Sequence, residues 1–321
     1  MIFEKQVVNI FKRMMHSRCD DTQTVFYFSA SDFPGLQQES YAFTAAAGHT
    51  LQGYLYQYEN AMTDRLLVFD HGFGGGHRAY MKEIEMLCRQ GYCVFAYDHT
   101  GCMESGGDSP NGFSQSLCDL NDCICAIKAD ARFAGCRLSV MGHSWGAFSA
   151  MNITALHPEI THIVAMCGFI SAEEIIATFL AGPLKGYRKA VSELEKQSNP
   201  YFSQFNAIAS LSATSANALL IYSDNDQLCR RVHYEKLKAA LEKKANIRFL
   251  FVQNKGHNPN YTEEAVQYLT VFSKQRNAIT RNKKATATDK EKFVASFDWN
   301  KMTEQDPAVW DVIIRHLADE L

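Results

Sequence analysis

The chain has 321 residues, is 46% hydrophobic and 21% charged, and carries a formal net charge of −3 at neutral pH. That length suits one large α/β domain or two smaller ones. Weak acidity, with only a short Lys/Arg patch at 281–292, argues against a nucleic-acid partner, and no apolar run approaches the roughly 20 residues that span a bilayer.

Residues 1–15 set Phe3, Val7, Ile10, Phe11 and Met14 at helical spacing, with Glu4, Lys5, Asn9, Lys12 and Arg13 between them. This amphipathic helix is expected to pack on its own domain; a membrane surface or a partner subunit is the alternative. No basic region followed by an apolar core and a cleavage site is found there, so no export signal is expected. Ten scattered cysteines, without a Cys-x-x-Cys pair or zinc-type spacing, fit a reduced cytoplasmic protein with no metal.

Alternation over 41–58, interrupted at Gly48 and Gly53, predicts an antiparallel hairpin. Arg65-Leu66-Leu67-Val68-Phe69 is a continuous apolar run, as for a strand buried on both faces, and it delivers His71-Gly72-Phe73-Gly74-Gly75-Gly76. A helix stripe (Tyr80, Ile84, Leu87, Cys88), a strand at 92–97, a second stripe (Leu117, Leu120, Ile124, Ile127) and a strand at 137–141 follow. Further strands are expected at 161–167, 217–222 and 246–252, with helices at 231–244 and 262–277. This alternation predicts an α/β fold with a doubly wound, mostly parallel sheet.

Between 169 and 210 the alternation stops, and Gly182-Pro183, Gly186 and Asn199-Pro200 punctuate helical stretches with no strand. The segment reads as a short helical cap inserted where the sheet's carboxyl edge opens. The expected layout is a lead-in at 1–40, a core at 41–168 and 211–277, the cap at 169–210, and a tail at 278–321. In the tail, 278–290 is expected to be a mobile polar linker, and Asp306-Pro307 to start a last helix folding back on the core.

Residues 138–146 run from strand character into Gly142-His143-Ser144-Trp145-Gly146, then into a helical pattern that Pro158 ends. Strand, Gly-x-Ser-x-Gly and helix in that order describe a nucleophile elbow, a turn too tight for side chains at the glycine positions. A serine hydroxyl is a poor nucleophile and needs a base, and the base needs a group to orient it. Downstream, the strand at 217–222 ends in Ser223-Asp224-Asn225-Asp226, with two candidate acids, and the strand at 246–252 leads through Gly256 to His257. Donors for a developing oxyanion are expected from the amide of Trp145 and, in the glycine loop, that of Phe73. No Lys-Ser/Thr follows the glycines, which argues against a phosphate loop. His143 fills the variable slot of the elbow and is expected to pack rather than react. His16, His49, His157, His162, His233 and His316 are expected at the surface.

His71-Gly72-Phe73-Gly74-Gly75 with Tyr80, Gly91-Tyr92-Cys93-Val94-Phe95-Ala96-Tyr97-Asp98, the elbow, the two acids and Gly256-His257 cover about 65–260. With these residues the chain resembles an α/β-hydrolase, of the branch containing monoacylglycerol lipases, lysophospholipases and serine aminopeptidase-like hydrolases. The resemblance implies Ser144 as nucleophile, His257 as base, Asp226 rather than Asp224 as acid, and Phe73 and Trp145 as oxyanion donors. Where that family reads Asp-x-Arg-Gly-x-Gly-x-Ser, this chain has Asp98-His99-Thr100-Gly101-Cys102-Met103-Glu104-Ser105, so Thr100 and Met103 replace an arginine and a glycine.

The expectation is a serine hydrolase of carboxylic esters with small or medium acyl groups, working without a cofactor. Its substrate would lie against His71, Gly72, Gly74, His143, Phe169 and Phe179. An aminopeptidase would need a cap carboxylate (Glu173, Glu174, Glu193 or Glu195) for the substrate's ammonium group. A thioesterase or acyltransferase would use the same machinery, and a non-catalytic ligand-binding protein on this scaffold is the alternative of another class.

Overall fold

The computed structural model describes residues 3–20 and 22–321, so the first two positions of the amphipathic N-terminal stretch lie outside the described residues. One sheet is built from β1 (Gln37–Thr44), β2 (Thr50–Gln57), β3 (Arg65–Asp70), β4 (Cys93–Tyr97), β5 (Arg137–His143), β6 (His162–Met166), β7 (Asn217–Ser223) and β8 (Ile247–Val252). Their order across the sheet is β1-β2-β4-β3-β5-β6-β7-β8. The β1–β2 and β2–β4 pairings are antiparallel, and every pairing from β4 to β8 is parallel.

The helices are α1 (Glu4–Met15), α2 (Met81–Arg89), α3 (Gln115–Ala129), α4 (Trp145–Asn152), α5 (Ala172–Phe179), α6 (Arg188–Ser198), α7 (Ala207–Ala213), α8 (Arg231–Leu241), α9 (Glu263–Arg281), α10 (Ala287–Ala295), α11 (Trp299–Met302) and α12 (Pro307–Leu317). None among the described residues is long and apolar enough to cross a membrane.

Successive side chains of a strand point to opposite faces, so a run apolar at every position needs a helix layer on each side. β3 meets this demand. Leu66 and Val68 join the core that holds Leu120 and Ile124 of α3, Phe148 of α4 and Leu237 of α8. Leu67 and Phe69 join a second core with Ile84 and Leu87 of α2 and with Trp310 and Ile313 of α12. The apolar face of the C-terminal helix thus closes the sheet from below, and the Asp306 side chain caps it by accepting from the Ala308 amide.

Within 169–210, α5, a 3-10 turn at Gly182–Tyr187 and α6 stand over the carboxyl edge, whereas α7 returns to the core and packs against α4 and α8. α1 rests on α6 and on that turn, burying Phe11 and Met15. The stretch at 278–290 is mostly helical rather than a linker: α9 runs on to Arg281, and Thr286 with Asp289 forms a capping box that starts α10. Its polar composition conceals the reason, because Phe293 of α10 joins a cluster of rings with Phe272, Phe297 and Trp299 drawn from three other segments.

Four of the six histidines expected at the surface are buried: His157, His162, His233 and His316. His162 reaches Asp319 at 2.7 Å and His316 reaches the Ile163 carbonyl at 3.1 Å, under the folded-back tail. His157 bonds Asn121 at 3.1 Å.

Candidate active site

The turn from β5 into α4 holds Ser144 at φ 57° and ψ −109°, a left-handed conformation that costs a non-glycine residue on the order of 1–3 kcal/mol. Packing enforces it. A Cβ on Gly142 would stand 2.2 Å from the Gly146 carbonyl oxygen, and one on Gly146 would stand 2.0 Å from that of Asp70 at the end of β3. The Ser144 amide meanwhile donates to the Met166 carbonyl of β6 at 2.8 Å. The serine therefore stands at the sheet's carboxyl edge at the head of α4, where the helix dipole favours negative charge.

The two candidate acids separate cleanly. The Asp226 side chain is fully buried, and its Oδ2 lies 2.7 Å from Nδ1 of His257, whose own side chain is 18% exposed. Burial alone would raise this carboxyl; the hydrogen bond and charge of His257, with the amides of Leu228 and Cys229 on Oδ1, hold it below its ordinary value. Asp224 instead accepts from the Asn254 amide at 2.8 Å. It shares that task with Ser223, which accepts from Lys255, and Asn225, which accepts from Gly256. Four consecutive residues, from the last of β7 onward, thus grip four consecutive residues of the loop after β8, and only the last pair is carboxylate to imidazole.

Ser144 and His257 line one pocket of about 240 Å³. Its walls are apolar: Phe113, Phe169, Ile175, Phe179 and Leu228 on the cap side, with Met14 and Met15 of α1. Of the residues expected beside the substrate, Gly72, His143, Phe169 and Phe179 are in this lining. His71 is not. It is wholly buried behind the loop, where its Nε2 accepts from the His99 amide at 2.9 Å, so it supports the loop and does not reach a ligand. Gly74 lines a neighbouring depression behind the glycine loop.

Phe73 and Trp145 flank the serine, their rings edge to face at 5.3 Å, and neither backbone amide donates to another described residue. Among the described residues, no carboxylate lines the pocket. Glu195 is buried and accepts from the Phe113 and Ser114 amides, each at 2.8 Å. Glu174 pairs with Lys236 at 2.7 Å, and Glu173 and Glu193 face solvent.

Several site residues carried no sequence signal. Cys167 hydrogen-bonds Asp226, and burial pushes its thiol well up, so it serves the carboxylate as a neutral donor. Its sulfur, Asp226 and His257 bring donor atoms within 4.8 Å of one another, the one such group among the described residues; a protonated thiol and a carboxylate already hydrogen-bonded to histidine fit a relay better than a metal site. Cys229, Phe113, Met14 and Met15 reach the pocket from loops and helices whose patterns read simply as core.

The esterase Pf2001 of Pyrococcus furiosus superposes with a TM-score of 0.59 at 20% identity, covering 82% of this chain and 98% of its own. The α/β-hydrolase GrgF of Penicillium sp. sh18 does so with 0.52 at 16%, covering 75% and 99%. At such identities the likeness speaks for the fold. No curated protein sequence matches the chain. The family described as serine aminopeptidase, S33, matches residues 61–231, a span that includes Ser144, the cap and Asp226 and stops before His257. Matched over more than half its length, the chain belongs to this serine aminopeptidase S33 family of the α/β-hydrolase superfamily.

Proposed function

We propose that the protein hydrolyses carboxylic esters with small or medium apolar acyl groups, using Ser144 as nucleophile, His257 as base and Asp226 to orient the base. One observation carries this reading. A serine on a strained turn shares an apolar pocket, lined by no carboxylate among the described residues, with a histidine whose Nδ1 is tied to a buried aspartate.

In the proposed sequence, Ser144 Oγ attacks the acyl carbon as His257 takes its proton. Negative charge then builds on the carbonyl oxygen, toward which the Phe73 and Trp145 amides would donate; losing one such donor commonly costs about 3–4 kcal/mol. The bond to the leaving alcohol breaks as His257 returns the proton to it. A water deprotonated by His257 then attacks the acyl-enzyme, and the freed acid leaves Ser144 regenerated.

The aminopeptidase activity in the family's description is disfavoured here by charge. A free α-ammonium group needs a carboxylate, and each cap glutamate is engaged elsewhere or faces solvent. The test is turnover of p-nitrophenyl esters of graded chain length against amino-acid p-nitroanilides, with a fluorophosphonate probe to titrate the serine. Ester turnover exceeding anilide turnover, labelling at Ser144, and a loss of at least ~10⁴-fold in kcat for Ser144→Ala are expected. Absence of labelling, or anilides as the better substrates, would overturn the reading.

A further inference from the structure

Behind the pocket, three hydrogen bonds run end to end between the two loops that the proposed chemistry needs. The Gly72 amide donates to Tyr80 Oη at 3.1 Å, Tyr80 Oη lies 2.8 Å from His143 Nδ1, and His143 Nε2 lies 2.6 Å from the His257 carbonyl oxygen. Chemistry fixes every direction. A carbonyl oxygen only accepts, so Nε2 of His143 carries the proton. Burial, then the neighbouring His257, lowers His143 to about 3, so the ring is neutral and Nδ1 offers a lone pair. The Tyr80 hydroxyl must therefore donate to Nδ1, and its oxygen accepts from Gly72. Each polar atom in the series has the one role left to it.

The series joins the glycine loop and the elbow to the loop that carries His257. The hydrogen bonds accepted by Ser223, Asp224, Asn225 and Asp226 hold the His257 loop on the β7 side. On the elbow side, the tie is His143, whose ring lies 4.7 Å from that of His257. At the other end, a Cβ on Gly72 would stand 2.4 Å from Tyr80 Oη, so this approach of tyrosine to the glycine loop tolerates no side chain at position 72.

We propose that Tyr80 and His143 are positioning residues that clamp the oxyanion loop and the base-bearing loop at a fixed separation. The proposal rests on the serine-hydrolase reading above. Their task is geometric: misplacing reacting groups by about 1 Å can cost ~10²-fold in rate.

The test compares Tyr80→Phe, His143→Gln and His143→Asn in the full chain, with kcat expressed per serine titrated by the fluorophosphonate probe. Tyr80→Phe strands both the Gly72 amide and Nδ1, and is expected to lower kcat about 10- to 100-fold with KM changed less than about threefold. Gln carries an N–H to the position of Nε2 and keeps the tie to the His257 carbonyl; Asn reaches only the position of Nδ1 and loses it. Gln leaves no acceptor for the Tyr80 hydroxyl, whereas Asn can keep one, so each variant breaks one link of the series. Both should lower kcat about 10- to 100-fold with KM changed less than about threefold, and neither should move the pH dependence of kcat/KM, because the neutral ring they replace does not titrate in the working range.

Tyr80→Phe and His143→Asn turning over at the wild-type rate per titrated site would overturn the clamp. Loss of the acidic limb of the pH profile in both His143 variants would overturn it too, because His143 would then be the titrating base. A wild-type enzyme that the probe fails to label would instead bring down the serine-hydrolase reading, which keeps the two failures distinguishable.

Discussion

His99 shows how much of the site's support is invisible in any motif. It lies entirely buried between two aspartates, with Nδ1 3.2 Å from Asp119 and Nε2 3.0 Å from Asp70, the latter an ion-pair approach at an angle poor for a hydrogen bond. Its ring lies tilted 4.6 Å from that of Trp145, the residue after the elbow serine. Burial alone would lower this imidazole, but the two carboxylates raise it to about 10, so it is a cation at neutral pH. Replacing it with glutamine leaves both carboxylates buried with no cation between them, a loss of about 3–5 kcal/mol. The sign with pH is set by the folded value lying above the unfolded one of 6.5: the stabilisation is complete below about 6.5 and is lost as pH climbs through about 10. Urea unfolding should show wild type well ahead of His99→Gln at pH 6, with the gap narrowing by pH 9.5. A constant gap would mean the ring is neutral. The sequence offered His99 only as an unremarked position after Asp98, because the partner from α3, Asp119, comes twenty residues later.

The cap illustrates the same lesson for whole elements. Its helical character and apolar residues were legible, and Phe169 and Phe179 do face the pocket. Its charges were not. Glu195, a candidate ligand for an ammonium group when read along the chain, is the peg that fastens α6 to the head of α3 by accepting two backbone amides. Composition cannot distinguish an acid facing a ligand from one facing a helix terminus, because both positions favour negative charge. Glu195→Gln can accept at one amide only and leaves the other buried and unmade, a cost of about 1–3 kcal/mol. Phe113, which carries one of those amides, also lines the pocket, so looseness there reaches the proposed acyl site. The expected result is a melting temperature lower by a few degrees and a KM for medium-chain esters raised severalfold, with kcat per titrated serine little changed. A fall in kcat without a rise in KM would detach the peg from the pocket.

At the scale of the molecule, the mostly parallel sheet followed from apolar runs alternating with helix stripes, since those periodicities are local; the strand order, set by contacts between distant segments, did not. What joins distant segments was not legible, and the knot beneath the His257 loop is the clearest case. Lys255 pairs with Asp306 at 2.7 Å, the Asp306 amide donates to the Asn260 carbonyl at 2.7 Å, and Asn260 Nδ2 donates to Glu83 Oε1 of α2 at 2.9 Å. The tail therefore does more than cover the sheet: with α2 it braces the loop that carries the proposed base. Glu83 sits wholly inside this knot, its Oε2 without a partner among the described residues, and burial, only partly offset by hydrogen bonds such as that from Asn260, raises it from 4.5 to about 7. A carboxyl raised on folding stabilises below its unfolded value, and that contribution drains away as pH rises through the folded one. The shift bounds the effect at about 3 kcal/mol, so wild type should lose up to that much stability between pH 4.5 and 8 through this one group. Glu83→Gln keeps an oxygen for Asn260 and has no proton to lose. Measured by urea unfolding, the variant should therefore gain steadily on wild type across that range, and parallel pH profiles would mean that Glu83 is ionised in the folded protein throughout.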